Sequence, residues 1–127
     1  MAFQFSKHYT VEQARKLLPQ LKNWLNQLVE VRCEIEDFDQ RHRSLNESFF
    51  DFGSSMVNRW VENLAKRNDL LVEFQKKEIQ IKDIERGLID FPAVIGGKEV
   101  FLCWEKDDQG IEFWHDLDSG FPGRKPI

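Results

Sequence analysis

The fold is decided by residues 88–104, which read LIDFPAVIGGKEVFLCW. Two runs rich in β-branched and aromatic residues flank Gly96-Gly97, where both positions can adopt the positive φ of a tight hairpin turn. A two-residue turn at this point pairs Ile95 with Lys98 and sets the register of every pair further out. The segment therefore predicts an antiparallel β-hairpin.

This register sorts the hairpin side chains onto two faces. One face is wholly apolar and should pack on the rest of the protein; its members are Ile89, Phe91, Ala93, Val100, Leu102 and Trp104. The other face sets Asp90 opposite Cys103 and Pro92 opposite Phe101. If the next turn has four residues, Trp114 pairs with Cys103 and joins this second face. We expect the C-terminal tail, the connector between the helices or a partner chain to cover Phe101 and Trp114.

The first part of the chain has helical periodicity. Thr10 and Gln13 form a capping box, and apolar residues then recur at steps of three and four to about His42. Pro19 lies inside this pattern, so we expect the helix to kink or to restart there.

A second helix should begin at Ser54 or Ser55, after a connector over 44–53 that Phe49, Phe50 and Phe52 pin to the core. We expect one domain over residues 1–127, with a helical hairpin at 1–77 and a sheet with an ordered tail at 78–127. The fold class is α+β: a long antiparallel helical hairpin, then a small three- to four-stranded antiparallel meander and an ordered C-terminal tail.

Composition excludes several classes of function. The 127 residues are 41% hydrophobic and 31% charged with a net charge of −4, and the acidic excess lies in 87–127. Because no basic stripe is present, we expect no nucleic-acid partner. No apolar run approaches the ~18 residues of a membrane span, so we expect no membrane contact. The N-terminus does not read as a secretory leader, which favours a cytoplasmic location, and no cofactor is expected.

The length of the first helix points to a partner. Thirty-two residues extend roughly 48 Å, whereas a domain of this size is roughly 30 Å across. Leu28, Val31, Ile35 and Phe38 lie toward its far end. We therefore predict a homodimer in which these four side chains form the interface.

The densest polar cluster lies at residues 114–120. His115, Asp116 and Asp118 carry nitrogen and oxygen ligands that suit zinc, manganese or iron(II), although their spacing matches no known metal motif. Alternatively, the two aspartates cap a turn into Gly120 and the histidine bonds a backbone carbonyl.

Asp90 lies inside an apolar strand, so its carboxylate needs a partner. Arg124 in the tail is the predicted one, with the tail folded back over Phe101 and Trp114. Cys103 is a poor nucleophile, because the carboxylate opposite it would raise its pKa.

Three segments resemble the bacterial family named domain of unknown function 2203: YTVEQARKLLPQL at 9–21, KDIERGLIDFP at 82–92, and LCWEKDDQGIEFWHDLDSGFPGRKPI at 102–127. The most specific part is the ending WHxxDxGFxGRxP. Glu78 stands where the family pattern has Gly, and Ile84 where Pro or Leu is commoner. The resemblance implies a bacterial cytoplasmic protein and carries over no catalytic residue.

Two hypotheses from different classes follow. The first is a non-enzymatic protein-binding or assembly module that acts as a homodimer. The second is a metal-binding protein or metal-dependent enzyme centred on His115, Asp116 and Asp118. The residues leave open whether the protein is an enzyme.

Overall fold

A computed structural model describes residues 2–42 and 55–127. Its helices and strands follow one another as α1 Val11–His42, α2 Ser55–Lys76, β1 Gln80–Asp83, β2 Leu88–Ile95, β3 Lys98–Trp104, β4 Phe113–Asp116 and β5 Lys125–Pro126, with a 3₁₀ turn at Phe121–Gly123 before β5. Two helices therefore precede an antiparallel sheet, which confirms the α+β class. The predicted connector 44–53, with Phe49, Phe50 and Phe52, and the cap at Ser54 lie outside the described residues.

The five strands form one sheet in the order β1-β2-β3-β4-β5. The central hairpin has the predicted register, from Ile95 opposite Lys98 to Ile89 opposite Trp104. Gly96 and Gly97 both have positive φ, as the tight turn requires. The sheet has one strand more than the three or four expected, because the tail pairs with β4 as β5.

The predicted register of β4 is wrong by one residue. Cys103 pairs with Phe113, not with Trp114, and Leu102 pairs with Trp114. The connection from β3 to β4 spans residues 105–112, which is longer than the four-residue turn, because Ile111 leaves the strand path and is fully buried in the core. A shift of one residue moves each side chain of β4 to the other face. Trp114 therefore packs toward the helices, and the residue after it faces outward.

Helix α1 begins at the predicted capping box. The Gln13 amide N–H donates to Thr10 Oγ1 at 3.1 Å, and the Thr10 N–H donates to Gln13 Oε1 at 2.9 Å. The helix continues through Pro19, so a restart at this residue is wrong. Buried Leu18 and Leu21 flank the proline, and their contacts with the core hold the helical path across the missing hydrogen bond.

Helix α2 runs antiparallel to α1. Phe38 stacks on Trp60 near one end of the pair, and Trp24 meets Phe74 edge to face near the other. The N-terminal half of α1 also packs on the apolar sheet face, so this face and both helices share one core.

The proposed dimer interface is largely covered inside the single chain. Leu28, Val31 and Ile35 are 1%, 2% and 8% exposed, and Phe38 stacks on Trp60. Their apolar surface is therefore buried without a second copy. The homodimer itself stays a prediction.

The outer face of the sheet is covered by an N-terminal segment. The Phe5 ring packs on Phe101 at a centroid distance of 5.4 Å. The Glu99 carboxylate accepts the backbone N–H groups of Gln4 and Phe5 and lies 2.7 Å from His8 Nε2. Phe101 is buried, as expected, and Phe5 of this segment packs on it.

The second anchor of the N-terminal segment is Glu78, which follows α2. Its φ of 57° is the left-handed conformation that closes a Schellman motif, in which Ile79 N–H donates to the Phe74 carbonyl. Glycine adopts this φ at lower cost than a residue with a side chain. In this chain the Glu78 carboxylate accepts hydrogen bonds from the hydroxyl and the N–H of Ser6.

Acidification should release this N-terminal segment first. The hydroxyl of Ser6 lowers the pKa of Glu78 from its usual 4.5. Burial alone would raise the pKa of Glu99. Hydrogen bonds from His8 and from the backbone N–H groups lower it by more, so the pKa of Glu99 is also below its usual 4.5. Their stabilisation is complete above pH 4.5 and is lost as pH falls through the lowered values.

Amide hydrogen exchange checks this prediction. Between pH 6 and about pH 3, amides of residues 4–6 should lose protection while those of the β2–β3 hairpin keep theirs. Glu99→Gln should expose residues 4 and 5 already at pH 6. If the amides of residues 4–6 and those of the β2–β3 hairpin lost protection equally, the selective release of the N-terminal segment would be contradicted.

Candidate functional site

Three side chains on the outer face of the sheet meet below its covering segments. Asp90 on β2 lies opposite Cys103 on β3, and His115 on β4 lies opposite Phe101. Their ligand atoms lie within 4.8 Å of one another, and each residue is at most 1% exposed. Among the residues that the structure describes, this is the one group of three such side chains close enough to share a metal ion. We call it the buried triad.

The orientation of the His115 ring is defined by its two hydrogen bonds. Nδ1 lies 2.7 Å from the Asp116 carbonyl oxygen, which can only accept, so Nδ1 carries a proton. Nε2 lies 3.0 Å from Asp90 Oδ1. When the ring is neutral, Nε2 is therefore a lone-pair donor directed into the triad.

Burial determines the proton affinity of the other two members. Burial raises the pKa of Asp90, although His115 acts in the opposite direction. Burial, followed by the charge of Asp90, raises the pKa of the Cys103 thiol to about 12. The thiol is therefore protonated at neutral pH without a bound cation, and Cys103 is a poor nucleophile, as the sequence suggested.

A cavity of about 310 Å³ lies beside the triad. Asp90 and His115 line its inner end, and Lys82, Asp118 and Ser119 line it as well. The Lys82 ammonium lies 5.5 Å above the Phe101 ring centroid. Two members of the triad therefore belong to the cavity wall, where each is at most 1% exposed, whereas Cys103 does not line the cavity.

The structure does not assemble the predicted set of His115, Asp116 and Asp118. Adjacent residues of a strand point to opposite faces, so Asp116 lies on the helix side and pairs with Lys98 at 2.6 Å. Asp118 lines the cavity but does not belong to the triad. The ligand set that does converge is Asp90, Cys103 and His115.

The predicted pairing of Arg124 with Asp90 is wrong. Arg124 makes two hydrogen bonds to Asp108, from Nη1 to Oδ2 at 2.7 Å and from Nη2 to Oδ1 at 3.1 Å. Asp90 has His115 as its partner instead. The longer 105–112 connection brings Asp108 to the tail, and the one-residue shift of β4 places His115 on the same face of the sheet as Asp90.

The C-terminal tail is anchored, as expected. The guanidinium groups of Arg86 and Arg124 both contact the Phe121 ring, at 4.6 and 4.3 Å from its centroid. Ile127 N–H donates to the Glu112 carbonyl at 2.9 Å, and β5 pairs with β4. The tail therefore covers the edge of the sheet beside the triad.

A family model described as "Uncharacterized conserved protein (DUF2203)" matches residues 7–127. The chain belongs to this family. Comparison of the chain with curated proteins and with solved structures found no match. In this DUF2203 chain, no helix of the described residues is long and apolar enough to cross a membrane.

Residues 114–126 of this DUF2203 chain, which read WHDLDSGFPGRKP, have a structural role at several positions. His115 belongs to the buried triad, Asp118 lines its cavity and Arg124 holds the loop at Asp108. Gly120 has a φ of 65°, which lets the chain turn into the 3₁₀ segment. The ending therefore supplies one member of the triad and part of its surroundings.

The Arg124–Asp108 pair should stabilise this part of the fold. Both side chains are mostly buried and the fork is bidentate, so Arg124→Ala should lower the free energy of unfolding by about 1–3 kcal/mol. Urea denaturation of the unaltered chain, Arg124→Ala, Asp108→Ala and the double variant gives a double-mutant cycle, which measures the coupling energy between the two side chains. Arg124→Lys keeps the positive charge but not the two parallel hydrogen bonds, so it should restore only part of the free energy of unfolding that Arg124→Ala loses. Additive effects of the two alanine variants would contradict the assignment.

Proposed function

We propose that this protein binds a divalent transition-metal ion at the buried triad. The observation that carries the proposal is the convergence of an Asp90 carboxylate oxygen, Cys103 Sγ and a His115 ring nitrogen within 4.8 Å, with His115 Nε2 3.0 Å from Asp90 Oδ1. Tetrahedral zinc, with bonds of about 2.0–2.3 Å, places its ligands roughly 3.5 Å apart. Small side-chain rotations therefore suffice to bring the three atoms around one ion.

The second support is the hydrogen bond behind His115. Metal-bound histidines usually donate their other N–H to a carbonyl or carboxylate, which sets the tautomer and the ring orientation. The Asp116 carbonyl already has this role at 2.7 Å. The ion would take the place of the proton between His115 and Asp90.

The donor set narrows the choice of metal. Sulfur, nitrogen and oxygen ligands together favour zinc, cobalt(II) or iron(II) over magnesium and calcium, which prefer oxygen alone. Three protein ligands leave one position of a tetrahedral ion for water or a small molecule. The cavity at Asp90 and His115 supplies space for it. Such an open position is the arrangement that metal enzymes use to activate water.

Cobalt(II) tests the proposal because a thiolate ligand gives it intense charge-transfer absorption in the near ultraviolet. The full chain should show this absorption with one equivalent of Co²⁺. Cys103→Ser should lose it and His115→Gln should weaken binding at least about tenfold.

Cys33→Ser is the matched control, since Cys33 is exposed on α1 and lies outside the triad. It should bind Co²⁺ like the unaltered chain. Absence of the absorption, or its persistence in Cys103→Ser, would contradict a metal at the triad. Thermal unfolding of each variant without metal separates loss of a ligand from loss of the fold.

The assembly hypothesis is supported by a different surface. Val61 and Leu71 on α2 are 52% and 38% exposed and lie on one side of the helix with half-buried Leu64, and Arg67 and Asn68 lie between Leu64 and Leu71 on that side. Apolar side chains aligned on one exposed helix face favour packing against another helix. We therefore propose a homodimer through this stripe of α2, in place of the covered residues of α1.

Light scattering measures the mass directly. The unaltered chain should have about twice its 15.1 kDa at micromolar concentration. Val61→Asp should give a folded monomer, because Val61 is exposed in the single chain. Val31→Asp, in contrast, should unfold the protein. A mass near 15.1 kDa for the unaltered chain would contradict the dimer.

A further inference from the structure

The buried triad is closed to solvent. Each of its three side chains is at most 1% exposed, although two of them belong to the wall of the adjoining cavity. An ion or a reagent therefore reaches the triad only when part of the structure around it moves. Two terminal segments lie on this outer face of the sheet, and they differ in how firmly they are held.

Residues 2–8, which we call the strap, belong to no helix or strand. Two carboxylates fasten the strap to the sheet and to the end of α2. Glu99 accepts two backbone N–H groups of the strap, at 2.8 and 3.0 Å, and Glu78 accepts a third, from Ser6, at 2.9 Å. Because these acceptors are side chains, the strap can detach while the backbone hydrogen bonds of the sheet stay in place.

The base of the strap is fixed at Tyr9. The Tyr9 N–H donates to the Pro92 carbonyl at 2.7 Å, and its hydroxyl donates to the Lys77 carbonyl at 2.6 Å. Its ring meets Phe91 edge to face, at a centroid distance of 5.8 Å. Tyr9 and helix α1 therefore stay in position when the strap moves, and the hinge lies just before Tyr9.

Phe101 connects the strap with the triad. The Phe5 ring of the strap packs on Phe101 at a centroid distance of 5.4 Å, and the Phe101 ring lies 5.5 Å from that of His115. Phe101 also lines the cavity together with Asp90 and His115. Cys103 follows two residues later on the same face of β3. When Phe5 leaves, the Phe101 ring loses its cover and can rotate away from His115.

The C-terminal tail is held more firmly than the strap. Arg124 makes two hydrogen bonds to Asp108, and β5 pairs with β4. The Ile127 N–H also donates to the Glu112 carbonyl. Opening the tail breaks backbone hydrogen bonds of the sheet, whereas opening the strap breaks none of them. The strap is therefore the segment that opens at the lower free-energy cost.

We propose that the strap is a gate, whose detachment lets Phe101 rotate and opens the triad to ions and small reagents. As the entry route of a metal ion, the gate rests on the metal site proposed above, whereas the opening itself does not. Entry and exit pass through the same open state, so loosening the strap should speed both by the same factor. The affinity, which the closed state determines, should stay the same.

Thiol labelling measures the opening without any metal. Cys33→Ser leaves Cys103 as the one thiol of the chain, and mass spectrometry follows its reaction with iodoacetamide. A buried thiol reacts only after the structure opens. In this background, Phe5→Ala removes the ring that packs on Phe101 and keeps both carboxylate anchors. It should speed labelling at least about tenfold, and Glu99→Gln should act in the same direction.

Phe3→Ala is the matched control. Phe3 has the same side chain two positions earlier in the strap, but its ring meets His8 and is 50% exposed. Its labelling rate should stay within about twofold of that of the Cys33→Ser background. Low concentrations of urea separate a local opening from global unfolding. Labelling through the strap should barely depend on urea, whereas labelling through global unfolding rises steeply with it.

Cobalt(II) tests the gate as an entry route. In Phe5→Ala, the near-ultraviolet absorption should appear faster on addition of Co²⁺ and disappear faster on addition of a chelator, by the same factor, with an unchanged Kd. Faster exchange with a weaker Kd would make Phe5 a residue that positions the ligands, which contradicts a gate. If no Co²⁺ binds, the proposed metal site fails, and the labelling rates still decide whether the strap opens the triad.

Three labelling results would overturn the proposal. One is an equal rate for Phe5→Ala and the Cys33→Ser background. Another is a steep dependence of the Phe5→Ala rate on urea, which would assign the reaction to global unfolding. The third is faster labelling in Arg124→Ala but not in Phe5→Ala, which would place the opening at the tail.

Discussion

The two-residue turn at Gly96-Gly97 is the constraint on which the sheet depends. Its positive φ angles allow one register between β2 and β3, and alternation along the strands then assigns every side chain to a face. Apolar side chains go to the helices, and Asp90 and Cys103 go to the other side. A slip of one residue would bury the polar pair in the core, so the same constraint that builds the core also builds the candidate site.

The outer face is unusual because a polar group is buried on it. The N-terminal segment covers Phe101 and the C-terminal tail runs along β4, so Asp90 is only 1% exposed. A buried carboxylate without a partner would cost several kcal/mol. His115 meets this need, and it can do so only because β4 is shifted by one residue from the simplest hairpin. The burial of Asp90 by the two terminal segments, its pairing with His115 and the register of β4 therefore depend on one another.

The sequence predicts the local elements well. The capping box at Thr10, the hairpin at Gly96-Gly97 and the helical periodicity are signals carried within a few residues, and the structure agrees with each. The partners of Asp90 and Arg124 were mispredicted because they depend on the path of the 105–112 loop. Burial of Ile111 decides that path, and nothing in the spacing of the loop residues indicates it.

For the same reason, only two of the three triad residues could be placed together from the sequence. Asp90 and Cys103 are placed together by the turn, whereas His115 joins them through β4, whose register is set by tertiary packing.

The most direct test of a metal at the buried triad is X-ray absorption at the zinc edge of the zinc-loaded protein. The account predicts one sulfur at about 2.3 Å and nitrogen or oxygen ligands at about 2.0 Å. A shell without sulfur, or zinc that is lost on desalting, would contradict it.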